Sequence, residues 1–291
     1  MATHAPPTID PAAARHWERA APRRSPWLHD EVARRMAERL QWIKLEPRSW
    51  AHWAPVRGGM AAQPLVEARY PRAECVVAHE AALPAGFARP WWKLGAPAIR
   101  VGPVPDGSVQ MLWANMALHM SAAPQALIAQ WHRALEPDGF LMFSCLGPDT
   151  LRELRALYRE LGWPPAGHEF TDMHDWGDML VEAGFAEPVM DMERITLTWE
   201  TAERLLEELR ELGANLHPAR FGALRGRSWR SRLAQELTRA LAQPDGRLAL
   251  TFEIIYGHAM KPAPRVRMSE HSAVSLRDMR TMLQRGGGER G

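Results

Sequence analysis

Five side chains able to ligate a metal or move a proton fall in the stretch GHEFTDMHDWGD: His168, Glu169, Asp172, His174 and Asp175. Their spacing is not the His-Glu-x-x-His by which a helix presents two imidazoles to zinc. Asp172 has a simpler use as the N-cap of a helix beginning near Met173, so no metal site is expected. A second stretch, RSWAHWAPVRGG, ends in Gly58 and Gly59, where the absence of a Cβ lets a ligand or another chain come close to the backbone. A third, HPARFGALRGRSWRSRL, carries Arg220, Arg225, Arg227, Arg230 and Arg232 without one acid. Such a run is either a solvated face or a surface that draws in an acidic partner. Asn115 and His119 follow an apolar run, and Tyr256 and His258 sit in YGHAM. For these four, a turn, a cap or simple packing is the alternative to a pocket role.

The elements that must position these groups are legible from hydrophobic periodicity. Leu28, Val32, Met36, Leu40 and Ile43 recur in threes and fours, which predicts an amphipathic helix over about 28–43. A short strand near 49–53 leads into the Gly58-Gly59 turn, and MAAQPLVEARYP reads as the next helix. The runs AECVVAHE, PAIRVG, GSVQMLWANMAL and FLMFSCLG have the apolar texture of strands covered on both faces, with a helix over SAAPQALIAQWHRAL. Alternation with connections this short implies an α/β fold built on a doubly wound, mainly parallel sheet. Beyond residue 149 four helical segments surround two alternating segments, PVMDMERITLTW and GRLALTFEIIYGHAMKP, which are expected to pair as a late antiparallel hairpin.

Composition limits what such a fold can do. Thirty-six basic against thirty-four acidic residues leave a net charge of +2, too balanced for a dedicated nucleic-acid or membrane-surface protein. Two cysteines cannot make a disulfide framework, no leader of basic-then-apolar build is seen, and no apolar run reaches the ~18 residues of a membrane span. A cytoplasmic protein is expected. The proline-rich start (1–14) and the glycine-rich end (263–291) are expected to be flexible, flanking a domain over 15–262 with lid elements at about 150–180 and 200–243. Thirteen tryptophans, including the pair at 91–92, are expected in packing or a hydrophobic interface.

Over about residues 105–262, PDGSVQMLWANMALHM, WHRALEPDGFLMFSCLGPDTLRELR, FTDMHDWGDMLVEAGFAEPVMDMERITLTW and TFEIIYGHAMKP together resemble the malonyl-acyl-carrier-protein O-methyltransferases of biotin synthesis. That resemblance implies a Rossmann-like class I methyltransferase fold, S-adenosylmethionine as cofactor, no metal, and an acidic acyl carrier protein as partner. It casts Arg225, Arg227 and Arg230 as docking residues, and His119, Tyr256 and His258 as pocket candidates. The N-terminal third departs from the family pattern. Where the family has an acidic residue and a glycine-rich loop, this chain has His52, Ala54 and Val56, with only Gly58 and the adjoining Gly59 preserved. The carboxylate expected to hold the cofactor ribose falls at His79, with Glu80 one residue on, and the aromatic-acid pair the family carries near its start has no match in WERAAPRRSPWL. The resemblance thus implies a cofactor site at Gly58, Gly59, Glu80 and Asn115. Two readings follow: a methyltransferase with a non-standard loop, or a catalytically inactive relative with a binding or regulatory role.

Overall fold

The computed structural model describes residues 9–20, 24–87, 97–223 and 225–263. The tryptophan pair at 91–92 and most of the expected tail lie outside them. The elements run α1 (Pro11–Arg19), α2 (Trp27–Arg39), β1 (Ser49–Trp53), α3 (Pro55–Gly58), α4 (Ala62–Arg69), β2 (Glu74–Ala78), β3 (Ile99–Val101), β4 (Val109–Ala114), α5 (Pro124–Ala134) and β5 (Leu135–Leu146). They continue with α6 (Arg152–Glu160), α7 (Met173–Glu182), β6 (Ala186–Trp199), α8 (Ala202–Leu212), α9 (Arg227–Leu241) and β7 (Leu248–Met260).

The seven strands form one sheet in the order β3-β2-β1-β4-β5-β7-β6. Pairs through β5 are parallel, while β7 runs antiparallel to both β5 and β6. The late antiparallel pair is therefore as the alternation predicts, with α8 and α9 inserted between its strands. The sheet is covered on both faces. Along β4, Met111 and Trp113 join the core beneath α2 and α9, whereas Leu112 and Ala114 join the core beneath α5 and α7. This is why the central strands read as continuous apolar runs instead of alternating ones.

Helix α2 is held by its apolar stripe. Leu28, Val32 and Met36 are fully buried, each leaving water for a gain of ~2 kcal/mol. The half-exposed Arg35–Glu31 pair on the same helix is worth a few tenths, so the stripe decides its position.

Two local expectations are corrected. The chain start was expected to be flexible through residue 14, yet Pro11–Arg19 is a helix. Asp10 caps it by accepting the Ala12 N–H at 2.8 Å and pairs with Arg220 at 2.8 Å. Ile9, Ala14 and Leu216 form a small core of their own there. The turn expected to run from β1 to Gly58-Gly59 is itself helical: Pro55 starts the short helix α3 directly from Ala54, whose φ of 44° puts it in the left-handed region.

Candidate functional site

β1 and β4 lie side by side in parallel register, Ala51 opposite Leu112 and His52 opposite Trp113. At their carboxyl ends, where an open α/β sheet exposes its crevice, they frame a cavity of about 350 Å³. Trp53 and Gly58 enter it from the β1 side and Asn115 from the end of β4, while Met120 and Leu127 supply apolar wall. The far side comes from elements distant in sequence: Trp17 and Glu18 on α1, and Glu211 at the end of α8.

Asn115 is the structural hinge of this region. It is 1 % exposed, and its Nδ2 donates to the carbonyls of His29 (2.8 Å) and Gly58, while its Oδ1 accepts from Ser144 Oγ at 2.5 Å. It thereby ties α2, α3 and β5 to one point. Asn115→Ala leaves three buried groups short of a partner and is expected to cost about 2 kcal/mol in urea unfolding. A loss below about 0.5 kcal/mol, the range of an ordinary surface change, would show that the tie is not holding the floor of the cavity.

Gly58 lines the cavity, but its bareness serves a neighbour: a Cβ there would stand 2.6 Å from the Asn115 carbonyl oxygen. Gly59, with φ of +108°, faces away, and a Cβ on it would meet the His29 carbonyl oxygen at 2.6 Å. Of the two glycines expected at a ligand, Gly58 alone lines the cavity.

Glu80 is not on the cavity wall. Its Oε1 accepts the Val56 N–H at 3.0 Å, and burial raises its carboxyl above the usual range. His79, in the left-handed region at φ 59°, does line the cavity, with its ring 4.1 Å from the Trp53 ring centre to centre. The pair makes an aromatic wall, and burial lowers the His79 pKa, which keeps the ring neutral. His52, at the position of the family's acidic residue, is fully buried. Its Nδ1 contacts Gln63 Oε1 at 2.8 Å, and its ring is sandwiched by Trp50 and Phe87. It fastens α4 to β1 and leaves no carboxylate there.

The remaining expected pocket residues do not converge on the cavity. His119 Nδ1 accepts the Leu146 N–H at 3.4 Å, and burial drives its pKa well below the ordinary value. Tyr256 is buried on β7, where its hydroxyl donates to Glu193 at 2.7 Å under the Arg39 guanidinium; His258 lies further along the same strand. None of the three lines the cavity. The acid-histidine cluster also disperses. Asp172 caps α7 by accepting from the His174 and Asp175 N–H groups, His168 Nε2 contacts the His119 carbonyl at 2.9 Å, and no metal-binding group is found among the described residues.

What the sequence missed is Trp17-Glu18. The stretch WERAAPRRSPWL, which lacks the family's aromatic-acid pair in its usual form, places an indole and a carboxylate on the cavity wall. The available signal was Asp10-Pro11 as a helix start followed by apolar spacing. Two further wall residues carry unsatisfied groups: His29 Nε2 and Arg57 Nη1 are buried without a hydrogen-bond partner.

The arginine run lies elsewhere, at the start of α9. Arg225 stacks on Trp229 (3.8 Å) and Phe221, whereas Arg227 and Arg230 are exposed and have no ion-pair partner among the described residues. α9 packs on α6, whose Arg152, Arg155 and Arg159 border a second cavity of about 380 Å³ together with His217.

A family model described as a methyltransferase domain matches residues 86–143. Among solved structures, the YcgJ protein of Bacillus subtilis superposes with a TM-score of 0.52 at 13% identity, over 79% of this chain and 98% of its own. A Bacillus halodurans protein provisionally described as a methyltransferase gives 0.50 at 17% identity, over 78% and 99%. These two establish the class I methyltransferase fold. Malonyl-acyl-carrier protein O-methyltransferase of Gallionella capsiferriformans is 39% identical over 252 residues, 82% of this chain and 86% of the relative. The enzyme of the same name from Laribacter hongkongensis is 38% identical over 273 residues, 88% of each. Identity at this level across more than four-fifths of both chains, on a class I methyltransferase sheet, shows that this chain belongs to the malonyl-acyl-carrier protein O-methyltransferase family.

Proposed function

We propose that this chain transfers a methyl group from S-adenosylmethionine to the free carboxylate of a malonyl group carried on an acyl carrier protein. The observation that carries the reading is the cavity at the carboxyl ends of β1 and β4, in a chain of this family. When bound, the sulfonium supplies an electrophilic methyl group.

The residues present fit such a cofactor. The Trp53-His79 wall suits an aromatic base, and Glu18 gives the acceptor pair that ribose hydroxyls need, the role expected of Glu80. The neutral state of His29 and His79 leaves Arg57 as the cation among the lining residues, and Glu18 adds negative charge to the wall.

No general base is required, because a carboxylate is already ionised near neutral pH. The work left to the protein is alignment and exclusion of water. Trp17 and Leu212, reaching the cavity from α1 and α8, act as its cover. The Arg24–Glu211 contact and the Arg220–Asp10 pair hold these outer elements in place.

Calorimetric titration with S-adenosylhomocysteine, followed by transfer of labelled methyl from S-adenosylmethionine to malonyl-acyl carrier protein, tests the reading. Absence of heat at millimolar ligand would remove it in favour of an inactive binding protein.

The carrier protein is acidic, and the exposed Arg227 and Arg230, with the stacked Arg225 and the α6 arginines beside them, make the matching basic surface. Charge reversal at Arg227 and Arg230 together is expected to lower kcat/KM for the carrier-bound substrate about tenfold and to flatten its salt dependence. Turnover of a small malonyl thioester should be unchanged. Equal loss with both substrates would argue against docking.

No helix among the described residues is long and apolar enough to cross a membrane. Cys75 and Cys145 are both buried and neither is in a disulfide, in keeping with a reducing cytoplasm.

A further inference from the structure

We infer that His29 and Arg57 form a side-chain clamp for the α-amino-acid end of the methyl donor, replacing the backbone recognition that a glycine-rich loop would provide. The inference rests on the methyl-transfer reading above.

It begins from the N–H groups of the turn after β1. Pro55 has none. The Val56 N–H is taken by Glu80, those of Arg57 and Gly58 by the Ala54 carbonyl, and that of Gly59 by the Pro55 carbonyl. Every N–H from 56 to 59 is thus spent inside the protein, and none is left to meet a ligand carboxylate. A charged group entering this end of the cavity must be met by side chains.

Two are in place. Arg57 is anchored through Nη2, which donates to the carbonyls of Trp17 (2.6 Å) and Ala20 (2.6 Å), with its guanidinium 4.5 Å from the Trp17 ring centroid. Its Nη1 is buried and unpaired. His29 stands beside it: Nδ1 lies 2.6 Å from the Arg57 carbonyl oxygen. A carbonyl can only accept, so Nδ1 carries the proton and Nε2 is left as a bare lone pair. Burial lowers the His29 pKa to about 4, so the lone pair persists at neutral pH. Nε2 too is buried and unpaired, and both residues line the same cavity.

One buried unpaired donor with a positive charge and one buried unpaired acceptor are the complement of a carboxylate and an ammonium on a single carbon. Native interiors rarely leave such groups unmatched. An amino-acid group offers each a partner of the matching kind, whereas water would satisfy them without selecting a ligand. Arg57 also stands immediately before Gly58, so the charge is offered from within the turn that has lost the family's small residues.

The experiment compares three ligands by calorimetry on the full chain: S-adenosylhomocysteine, its decarboxylated analogue, and methylthioadenosine, which keeps nucleoside and thioether but lacks the amino acid. In the wild-type protein, removal of the carboxylate should weaken binding about tenfold or more, and removal of the whole amino acid further. In Arg57→Gln the carboxylate should cease to matter. In His29→Asn, whose amide can still donate to the Arg57 carbonyl, the amino group should cease to matter while methylthioadenosine binds as before. Should a variant fold poorly, the wild-type ligand series still decides. Equal affinity for all three ligands, or ligand preferences unchanged in the variants, overturns the clamp and leaves the methyl-donor reading standing. Failure of every ligand to bind the wild-type chain overturns both.

Discussion

Gly58→Ala is expected to lower stability by about 3 kcal/mol and to weaken S-adenosylhomocysteine binding by more than about tenfold. The added Cβ would sit 2.6 Å from the Asn115 carbonyl oxygen, a distance real Cβ atoms do not adopt. The Cβ is fixed to its own backbone and the oxygen belongs to another, so neither can swing aside. Relief requires α3 to move from the end of β4, and that movement stretches the Asn115 Nδ2 bond to the Gly58 carbonyl and opens the floor of the cavity. A matched control exists in the same molecule. Gly177 lies inside α7, and a Cβ added there would meet nothing within 4 Å. At that position alanine should be neutral or stabilising by up to about 1 kcal/mol, from helix propensity. Thermal and urea unfolding of the two variants, with the binding titration, checks both signs. A Gly58→Ala protein as stable as the wild type would show that the packing of α3 against β4 is looser than the geometry requires.

Acid should destabilise the fold steeply well above the range in which carboxylates protonate. His29 and His52 are buried, and burial lowers both from the ordinary 6.5 to about 4. In the unfolded chain both return to about 6.5. Above that pH neither state binds the proton and nothing is lost. Below it the unfolded chain takes up protons that the fold refuses, so the stability present above pH 6.5 falls away progressively toward pH 4. At pH 5 the loss is about 2 kcal/mol per histidine, or about 4 together, a large share of the ~5–15 kcal/mol that domains possess. Burial lowers His119 and His168 as well, which steepens the same window. Urea midpoints at pH 7.5 and pH 5 measure the slope, and His52→Asn should reduce it by about 2 kcal/mol over that interval. A slope unchanged in that variant would mean that His52 is not held neutral by burial.

The fold was legible because its signals are local and repeated. The threes and fours of Leu28, Val32 and Met36 give α2, the apolar run around Val76 and Val77 gives β2, and the alternation through Ile195 and Leu197 gives the edge strand β6. Each depends on which face of an element meets water, a property that a dozen neighbouring residues report together. The start of the chain was harder. A helix of nine residues, α1, is marginal by itself and exists here through Asp10–Arg220 and the contacts of Ile9 and Ala14 with Leu216, some two hundred positions away.

The site followed a different rule. Asn115 at the end of β4 and Gly58 at the end of β1 could be placed from sequence, because strand ends in a parallel sheet fall at one edge. Glu80 could not: whether its carboxylate faces the cavity or the Val56 N–H depends on the left-handed turn at His79, a single backbone rotation that no pattern encodes. Nor could Trp17, Glu18 and the unpaired nitrogens of His29 and Arg57, since a hydrogen bond left unmade has no sequence signature.

By itself the sequence determined most of the elements from α2 onward, the mainly parallel kind of sheet and the family to which they belong, since periodicity and motif are written along the chain. Only the tertiary structure decided which groups line the cavity and which are spent on holding it. That choice is made by contacts between residues far apart in the chain, and by the requirement that each buried polar atom find a partner.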